Sequence, residues 1–536
     1  MRNTSSSIPL WKANSRFVHA AMRPRCRARE DCVHFLGTIM SPPLTRRAFH
    51  HLAASGATLI GSHALWPLAR ADEGVDVPWT YDDPHLSGNF LPVQREVDVP
   101  DLRVSSGKIP ADLRGVYMRN GPNPEFKPIG YTYPLDGDGM IHAVYIEDGK
   151  ARYCNRFVKT ESLMVERRAG RAVFGSFAHP VPVDRGLFLP GEAPSFLKNG
   201  AFVNIIQHGG RFIALNEATT SYEISAELDT LGQWTAGGSE PLRLGAHNRH
   251  HPRTGDLYAL EYSWRTPTVK FHRIDASGML VNTSSVELPM PTMIHDFILT
   301  EHYVVLIAGP AVFDVQAAKA GQSMLQWRPD LGMRIALLPL DGGVPIWIEG
   351  EPFFVFHFAN GFERGQQIVV DYVQHDKFAL AYGPTPTFKR MTIDPASRSF
   401  KVAGFSNEVT EFPRVNHLRE ALPTRFVYMP TLTSSLKEAN PPSAVFNTVL
   451  KLDTETGRYT RHDLGNQIVG EAAFVPKPGG GAEDDGYLAA FTYDPVRQGS
   501  NLVLLDATRI EESPVAVIEM PQRVPQGLHG NWISRT

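Results

Sequence analysis

Short apolar or alternating runs recur along residues 72–536, and each one is closed by Gly, Pro, Asn or Asp. Runs of this length between turn residues are typical of β-strands, whereas helical periodicity is scarce. The clearest strand-like runs lie at 211–217, 255–264, 302–309, 366–373 and 486–494. The pattern therefore predicts an all-β protein built as a sandwich, a barrel or a propeller.

The length of this region selects among the three architectures. About 465 residues exceed what one sandwich uses, whereas a propeller repeats blades of about four strands each around one axis. We predict a seven-bladed β-propeller with roughly 60 residues per blade, although no blade-repeat signature is visible. The Pro- and Gly-rich insert at 184–200 is too long for a hairpin turn and is a candidate lid over one propeller face.

A separate N-terminal region is predicted from the order of charged and apolar residues. Paired arginines at 46–47 precede a weakly apolar run that ends in a small-x-small site at 69–71, which resembles a Tat signal. We expect 1–71 to be an N-terminal extension and signal peptide, with Met40 as an alternative start, and 72–536 to be a single catalytic domain. This predicts a periplasmic protein that the Tat machinery exports; a plain amphipathic helix here would leave it cytoplasmic.

Charge and motifs exclude several classes of protein. The net charge is −3, but removing the ten basic and two acidic residues of 1–71 leaves 43 basic and 54 acidic residues, a net of −11. We therefore expect no nucleic-acid partner, and any peripheral membrane contact would have to be apolar and local. Three cysteines cannot form a disulfide framework, and Cys154 is interpreted as an inert core thiol. Phosphate-binding loops, G-x-S-x-G, H-E-x-x-H and C-x-x-C are absent from the sequence.

Four histidines stand in distinctive settings, and two of them lie among bulky apolar residues, where an imidazole needs a partner. They are His247, His295, His357 and His529. Their spacings of 48, 62 and 172 residues are near one, one and three blade lengths. Since the inner strands of a propeller meet at its axis, these side chains can converge there, and imidazoles suit Fe, Zn, Cu or Ni. A histidine in such a setting, taken singly, is more often a hydrogen-bonded core residue than a metal ligand.

Three glutamates have apolar neighbours, where a bare carboxylate is costly. Glu217 ends the run RFIALNE, Glu411 opens EFPRVN, and Glu471 opens GEAAFVP. Accepting a proton from the distal nitrogen of a metal-bound histidine would resolve that cost. The alternative is that the three are carboxylates on the rim of the propeller.

The ordered motifs of the chain resemble the carotenoid cleavage oxygenase family, from about residue 80 to the end. They are LSGNFLPV (86–93), LRGVYMRNGPNPEF (113–126), LDGDGMIHAVYIEDGKARYCNRFVKT (135–160), HGGRFIALNE (208–217), the four histidine contexts and GEAAFVP (470–476). The family includes carotenoid, apocarotenoid and stilbene cleavage dioxygenases. The resemblance implies a seven-bladed β-propeller with a cap of helices and loops over an axial metal site.

The resemblance also implies the chemistry. One non-haem Fe²⁺ per chain would be bound by His247, His295, His357 and His529. Glu217 would serve His295, Glu411 would serve His357, and Glu471 would serve His529, which leaves His247 without a carboxylate. With O₂ the iron would cleave a C=C bond of an apolar conjugated substrate to aldehyde or ketone products. The protein would supply placement and a dry tunnel. His142, in the GDGMIH motif, is interpreted as structural.

Two departures from the family pattern bear on mechanism and substrate. Val203 stands where many members carry a Thr near an open iron position, which affects how water or O₂ is handled. Stilbene cleavers hold a phenolate with a Tyr and a Lys; Tyr131 or Tyr133 matches the Tyr, but the Lys position falls near Ser162, with Lys159 out of register. The incomplete pair favours a carotenoid or apocarotenoid, with a lignostilbene- or resveratrol-type stilbene as the alternative.

Other classes of function stay open from the sequence. The same scaffold can hold a metal-dependent hydrolase or isomerase, or a non-catalytic propeller that binds a lipid. The apolar residues of the 184–200 insert fit the mouth of a substrate tunnel, a membrane contact or plain packing of the cap. These residues are Leu187, Phe188, Leu189, Phe196 and Leu197.

Overall fold

The computed structural model describes residues 77–535, apart from 218, 381–384, 434 and 437–441. Within them, seven antiparallel sheets of three to six strands form the blades of a β-propeller, as the strand pattern predicts. The predicted signal peptide and the domain boundary after residue 71 lie outside the described residues, and both stay predictions.

The first blade joins the two ends of the described chain. Its strands are β1 (Asp98–Val99), β3 (Gly115–Arg119), β4 (Met140–Glu147), β5 (Lys150–Phe157) and β34 (Gly530–Ser534), in the order β1-β5-β4-β3-β34. The C-terminal β34 pairs with β3, from Gly115 opposite Ser534 to Arg119 opposite Gly530. Main-chain hydrogen bonds between the chain ends therefore close the ring of blades.

Blades 2 to 6 follow one another along the chain, and each blade starts with its innermost strand. Blade 2 contains β6 (Asn204–His208), β7 (Arg211–Leu215), β9 (Tyr222–Ile224) and β10 (Thr230–Gln233). Blade 3 contains β12 (Asn248–His250), β13 (Leu257–Glu261), β14 (Thr268–Ile274) and β15 (Leu280–Glu287). Blade 4 contains β16 (Ile298–Leu299), β17 (Tyr303–Ala308), β20 (Met333–Pro339) and β21 (Ile346–Gly350). Blade 5 contains β22 (Phe358–Arg364), β23 (Gln367–Gln374), β24 (Thr387–Asp394) and β25 (Ser399–Gly404). Blade 6 contains β26 (Phe426–Thr431), β27 (Thr448–Asp453) and β28 (Arg458–Asp463).

Blade 7 also takes a strand from the N-terminal part of the chain. It contains β29 (Ile468–Val469), β30 (Ala473–Pro476), β31 (Gly486–Asp494), β32 (Gly499–Asp506), β33 (Ala516–Glu519) and β2 (Val104–Gly107), which pairs with β33. Two short ribbons complete the described strands: β8 (Thr219–Thr220) with β11 (Arg243–Leu244), and β18 (Ala311–Phe313) with β19 (Leu325–Trp327).

The middle strands of the blades are apolar on both faces because each blade packs between two neighbours. β31 coincides with the predicted run at 486–494, and the runs at 302–309 and 366–373 contain most of β17 and β23. The outermost strands β15 and β25 are largely exposed. The core of the protein therefore lies between the blades, and the axis is left for the inner strands.

Helix and loop segments cap one end of the propeller. Helix α1 (Glu161–Ala169) begins at Thr160, whose side chain accepts a hydrogen bond from Leu163 N, and ends at Gly170 in the left-handed conformation. Helix α2 (Val315–Lys319) is a short helix with Asp314 as its N-cap. The described 3₁₀ turns are Pro84–Leu86, Gly88–Phe90, Arg185–Leu187, Pro329–Leu331 and His417–Arg419.

The 184–200 insert combines packing with the lining of a cavity. Leu187 and Phe188 pack against the buried cluster under α1, whereas Leu189 is 53% exposed. Phe196 and Leu197 line a cavity of about 670 Å³ that reaches Glu217. Cap packing thus describes part of this insert, whereas the tunnel mouth and the membrane contact stay predictions. None of the helices in the described ranges has the length and apolarity to cross a membrane.

Candidate metal centre

The four histidines singled out in the sequence occupy one recurring place, the start of an innermost strand. His247, His357 and His529 directly precede β12, β22 and β34, and His295 lies three residues before β16. These strands belong to blades 3, 5, 1 and 4. The spacings of 48, 62 and 172 residues therefore equal one, one and three blades.

The four imidazoles converge at the propeller axis. Nε2 of His295 lies 3.1 Å from Nε2 of His247 and 3.3 Å from Nε2 of His357. Nε2 of His357 in turn lies 3.1 Å from Nε2 of His529. The four candidate ligand nitrogens all lie within 4.8 Å of one another, and all four residues are buried. Two nitrogens bound at right angles to a metal ion at about 2.1 Å are about 3.0 Å apart, so the spacing fits a shared ion.

Carboxylates hold the distal nitrogens of three rings. Nδ1 of His357 donates to Oε2 of Glu411, and Nδ1 of His529 donates to Oε1 of Glu471 over 3.0 Å. Nδ1 of His295 lies 2.7 Å from Oε1 of Glu217, out of line for a hydrogen bond. The structure thus places each glutamate beside the histidine that the resemblance assigned to it.

The fourth ring, His247, has no carboxylate of its own. The nearest carboxylate oxygen, Oδ2 of Asp296, lies 3.9 Å from its Nδ1. Both oxygens of Asp296 accept hydrogen bonds of 2.7 Å from Arg249, so this aspartate is paired with the guanidinium and not with His247.

Two of the four rings, His247 and His529, have pKa values that favour the neutral form that binds a metal ion. Burial lowers the pKa of His247 well below its usual value, and the neighbouring imidazoles lower it further. Burial also lowers the pKa of His529, against the opposing effect of Glu471. Burial opposes the effect of Glu217 on His295, but the carboxylate prevails and raises that pKa. Since Glu411 and Glu471 accept at Nδ1 of His357 and His529, the Nε2 lone pairs of these two rings face the centre of the cluster, an arrangement that a cation there would stabilise.

Glu411 and Glu471 are held ionised. Burial by itself would raise the pKa of Glu471, but the charges of Arg414 and His529 outweigh it and lower that pKa to about 2. Burial is likewise outweighed at Glu411, whose pKa is lowered by His357 and His375. These two buried carboxylates therefore help to balance the charge of a cation at the imidazoles.

An apolar cavity of about 350 Å³ opens on the imidazoles from the capped end. Its wall includes Val203, Phe356, Phe412 and Val445, together with three of the four histidines. A second, more polar cavity of about 880 Å³ reaches His247, His357 and His529 along the axis and contains arginine and glutamate side chains. The histidine cluster therefore lies between an apolar cavity and a polar channel.

Val203 stands just before the innermost strand of blade 2, where blades 1, 3, 4 and 5 each carry one of the four histidines. It directly precedes the innermost strand β6 and lines the apolar cavity. Its carbonyl accepts a hydrogen bond of 3.1 Å from His529 N. The side chain thus presents methyl groups to the cavity beside the histidine cluster.

Tyr131 and Tyr133, the two candidates for the tyrosine of a phenolate site, differ in their position relative to the apolar cavity. Tyr133 lines the apolar cavity, whereas Tyr131 packs against the apolar cluster behind it and is absent from the cavity wall. Among the described residues, no lysine lines this cavity. Lys159 is exposed, and the Ser162 hydroxyl accepts from Asn199 N. His142 is buried and its Nδ1 lies 2.7 Å from the Tyr153 hydroxyl, and Cys154 is a buried free thiol.

Three further residues of the site are not apparent from the sequence. Tyr262 donates to Glu217 over 2.6 Å, His375 lies 2.6 Å from Glu411, and Arg414 lies 3.5 Å from Glu471. Tyr262 follows ordinary strand alternation, and His375 sits at a strand end among polar residues. A buried polar side chain that needs a partner is the one signal that points to them.

Comparison with known proteins places the chain. The family model described as retinal pigment epithelial membrane protein matches residues 90–534. The chain belongs to this family. A curated member, the carotenoid cleavage oxygenase of Mycobacterium tuberculosis, is 31% identical over 85% of this chain and 98% of its own length. Another relative, the isoeugenol monooxygenase of Pseudomonas nitroreducens, is 29% identical over 85% of this chain and 98% of its own length. The resemblance to carotenoid cleavage oxygenases is therefore confirmed.

Solved structures in the family share the fold. The lignostilbene dioxygenase of Pseudomonas brassicacearum superimposes with a TM-score of 0.78 at 26% identity, over 85% of this chain and 99% of that one. The cobalt-substituted apocarotenoid oxygenase of Synechocystis gives a TM-score of 0.73 at 30% identity, over 83% of this chain and 98% of that one. The likeness confirms the seven-bladed β-propeller.

Proposed function

We propose that this protein is a non-haem iron(II) dioxygenase that cleaves a conjugated C=C bond of a carotenoid or apocarotenoid. The observation that carries the proposal is the convergence of four buried imidazoles at the wall of an apolar cavity. Family membership supports an oxygenase, because the relatives named above are oxygenases.

His247, His295, His357 and His529 would hold the iron through Nε2. Imidazole nitrogens suit iron among other transition metals, and the cobalt-substituted relative supports a divalent ion. Bound iron(II) would supply the activation of O₂ for insertion across a C=C bond, with one oxygen atom in each of two carbonyl products. This redox chemistry is beyond any side chain of the site.

The side chains of the chain do the remaining work. Glu411 and Glu471 fix the orientation and the Nε2 lone pair of their histidines, which a metal ligand requires, and Glu217 places its charge beside His295. Methyl and phenyl groups of Val203, Phe356 and Phe412 exclude water from the cavity beside the cluster. An apolar polyene held against this wall has its double bond placed near the metal position, which is the main contribution of positioning to catalysis.

A stilbene-type substrate is the second candidate. Two relatives, the lignostilbene dioxygenase and the isoeugenol monooxygenase, are named after aromatic alkenes. In addition, Tyr133 lies in the cavity wall. Against this candidate, no lysine among the described residues lines the cavity to complete a phenolate site. The carotenoid or apocarotenoid therefore stays the first proposal.

Product labelling tests the proposed reaction. Iron-loaded protein is incubated under ¹⁸O₂ with an apocarotenal in one arm and resveratrol in the other, and both carbonyl products are analysed by mass spectrometry. We expect label in both products of the apocarotenal arm. Label in a single product would contradict a dioxygenase, and substrate binding without O₂ consumption would favour a lipid-binding propeller. Conversion without O₂ consumption would instead indicate a hydrolase or isomerase.

We also propose that the precursor is exported by the Tat machinery to the periplasm, on the strength of the paired arginines at 46–47. Fractionation of cells that express the chain, beside an Arg46→Lys/Arg47→Lys variant, tests this. Equal distribution of the two forms would contradict export by this route.

A further inference from the structure

The apolar cavity has a histidine in its wall besides those of the metal cluster. His375 follows β23, and its main chain exchanges hydrogen bonds of 2.8 and 2.9 Å with Phe354. Its side chain is 11% exposed and lines the cavity, where the Phe356 ring packs edge-on at 5.1 Å between centroids. The ring is thus held rigidly at the edge of the space proposed for the substrate.

One nitrogen of this ring is fixed as a donor. Nε2 of His375 lies 2.6 Å from Oε1 of Glu411. The other oxygen of Glu411 accepts from His357 Nδ1 and from Phe412 N. Because an ionised carboxylate only accepts, Nε2 of His375 carries the proton, and Nδ1 of the neutral ring is left as an acceptor.

Within the part of the chain that the structure describes, that acceptor has no partner. Nδ1 of His375 forms no hydrogen bond with any residue that the structure describes, although the ring is buried. Two other polar groups of the wall are engaged: Glu217 accepts from Tyr262, and the Ser443 hydroxyl lies 3.2 Å from His85 Nε2. The Tyr133 hydroxyl is unpaired but sealed by protein atoms. Nδ1 of His375 is not among the polar atoms that the protein seals from the cavity, so a ligand that donates to it gains a hydrogen bond that an analogue without a donor cannot form.

We propose that Nδ1 of His375 accepts a hydrogen bond from a hydroxyl group of the substrate, and that His375 is a specificity-determining residue. This inference rests on the proposed function and narrows it: the substrate is a conjugated alkene that carries a hydroxyl group, either a hydroxylated apocarotenoid or a hydroxystilbene. The analogue without the hydroxyl leaves Nδ1 unpaired in the complex. Sites built to bind a hydroxyl reject such analogues strongly.

Matched substrate pairs test the proposal. The iron-loaded protein is assayed with 3-hydroxy-β-apo-8′-carotenal beside β-apo-8′-carotenal, and with 4-hydroxystilbene beside stilbene. We expect kcat/KM to favour the hydroxylated member of the cleaved pair by about tenfold, the scale of one buried hydrogen bond. In His375→Leu, which lacks an acceptor, the preference should fall to about one.

The ratio of the two kcat/KM values separates specificity from mere support of Glu411. Both substrates are turned over by the same protein, so loss of iron or of folded protein cancels in the ratio. The control variant Glu471→Gln, which alters the support of His529 and does not touch His375, should lower both rates and keep the preference. A wild-type protein that cleaves both members equally, or a His375→Leu variant that keeps the preference, would overturn the inference while leaving the dioxygenase intact. Failure of the wild type to cleave any of the four compounds would overturn the proposed function and the inference with it.

Discussion

The Tyr262 hydroxyl donates a hydrogen bond of 2.6 Å to Oε2 of Glu217, whose other oxygen lies 2.7 Å from Nδ1 of His295. Tyr262 is buried, and burial followed by the charge of Glu217 raises the pKa of its hydroxyl well above the usual value. The tyrosine therefore stays a donor at any physiological pH. It holds the carboxylate that orients a candidate metal ligand.

Removal of this hydroxyl tests that role. In Tyr262→Phe, Oε2 of Glu217 loses its donor inside the protein, which costs about 1–3 kcal/mol of folding free energy. We expect weaker iron binding, by less than the roughly 10–100-fold typical for loss of a carboxylate that contacts a ligand directly. Metal titration and a thermal melt measure the two effects. Tyr303→Phe is the control, because the Tyr303 hydroxyl makes no hydrogen bond with any described residue. Equal iron binding in the two variants would contradict a role of Tyr262 in supporting the metal ligand His295.

Glu471 is held by three partners, and its charge should govern His529. Its oxygens accept from His529 Nδ1 at 3.0 Å and from Gly530 N at 2.8 Å, with Arg414 3.5 Å away. Glu471→Gln keeps the shape but removes the charge, so we expect iron affinity to fall by about 10–100-fold. A competition assay with a chelator measures this.

Glu349→Gln is the matched control for that variant. Its side chain is 74% exposed and pairs with Arg334 at the surface, where a single ion pair contributes little. An iron affinity of Glu471→Gln within twofold of this control would contradict the assigned role of Glu471.

Much of this site follows from the sequence because it depends on chain-wide regularities. The histidine spacings equal whole numbers of blades, so the four rings meet once the propeller is recognised. The pairing of Glu411 with His357 came from the family resemblance, since their 54-residue separation fits no local pattern. Contacts of His375 and Tyr262 depend on how loops close over the axis, which strand alternation does not encode.

Val203 offers a test of how the cavity handles water. The side chain is buried and meets the cavity with methyl groups beside His529. Val203→Thr keeps the shape and adds a hydroxyl, which can hold a water molecule that must be displaced before O₂ or substrate enters. Because the hydrogen bond lost when that water is displaced is worth about 0.5–1.5 kcal/mol, we expect the KM for O₂ to rise by up to about tenfold.

The control for this change is Val305→Thr, a buried valine in β17 away from the cavity, which should lose stability but not shift the KM for O₂. Iron content should be unchanged in Val203→Thr. An unaltered KM for O₂ in both variants would show that the Val203 methyl groups do not control access.

The cap is anchored by a buried ion cluster. Lys198, at the end of the 184–200 insert, lies 2.7 Å from Asp138 and 2.6 Å from Glu166, and both carboxylates are almost fully buried. Lys198→Ala leaves two buried carboxylates without a cation, so we expect a loss of about 3–5 kcal/mol in unfolding free energy at pH 8. Thermal melts across pH measure it.

The sign of the pH dependence is fixed by Glu166. Burial raises its pKa even beside Lys198, whose charge opposes the rise, so removing Lys198 raises the pKa further. A carboxyl whose folded pKa lies above its unfolded pKa loses stability as pH rises between the two values. The deficit of Lys198→Ala should therefore shrink as pH falls from 8 towards 5. A deficit that is constant with pH, or matched by the surface variant Lys270→Ala, would contradict this account of the cap.

The iron content of His357→Ala tests the central claim most directly. His357 touches two other rings of the cluster through Nε2 and Glu411 through Nδ1. The control is His302→Ala, an exposed histidine paired with Glu363. Purified wild type and control should each hold about one iron per chain and cleave substrate, while His357→Ala should lose both iron and cleavage together. A His357→Ala protein that keeps its iron and its activity would contradict the four-histidine iron centre.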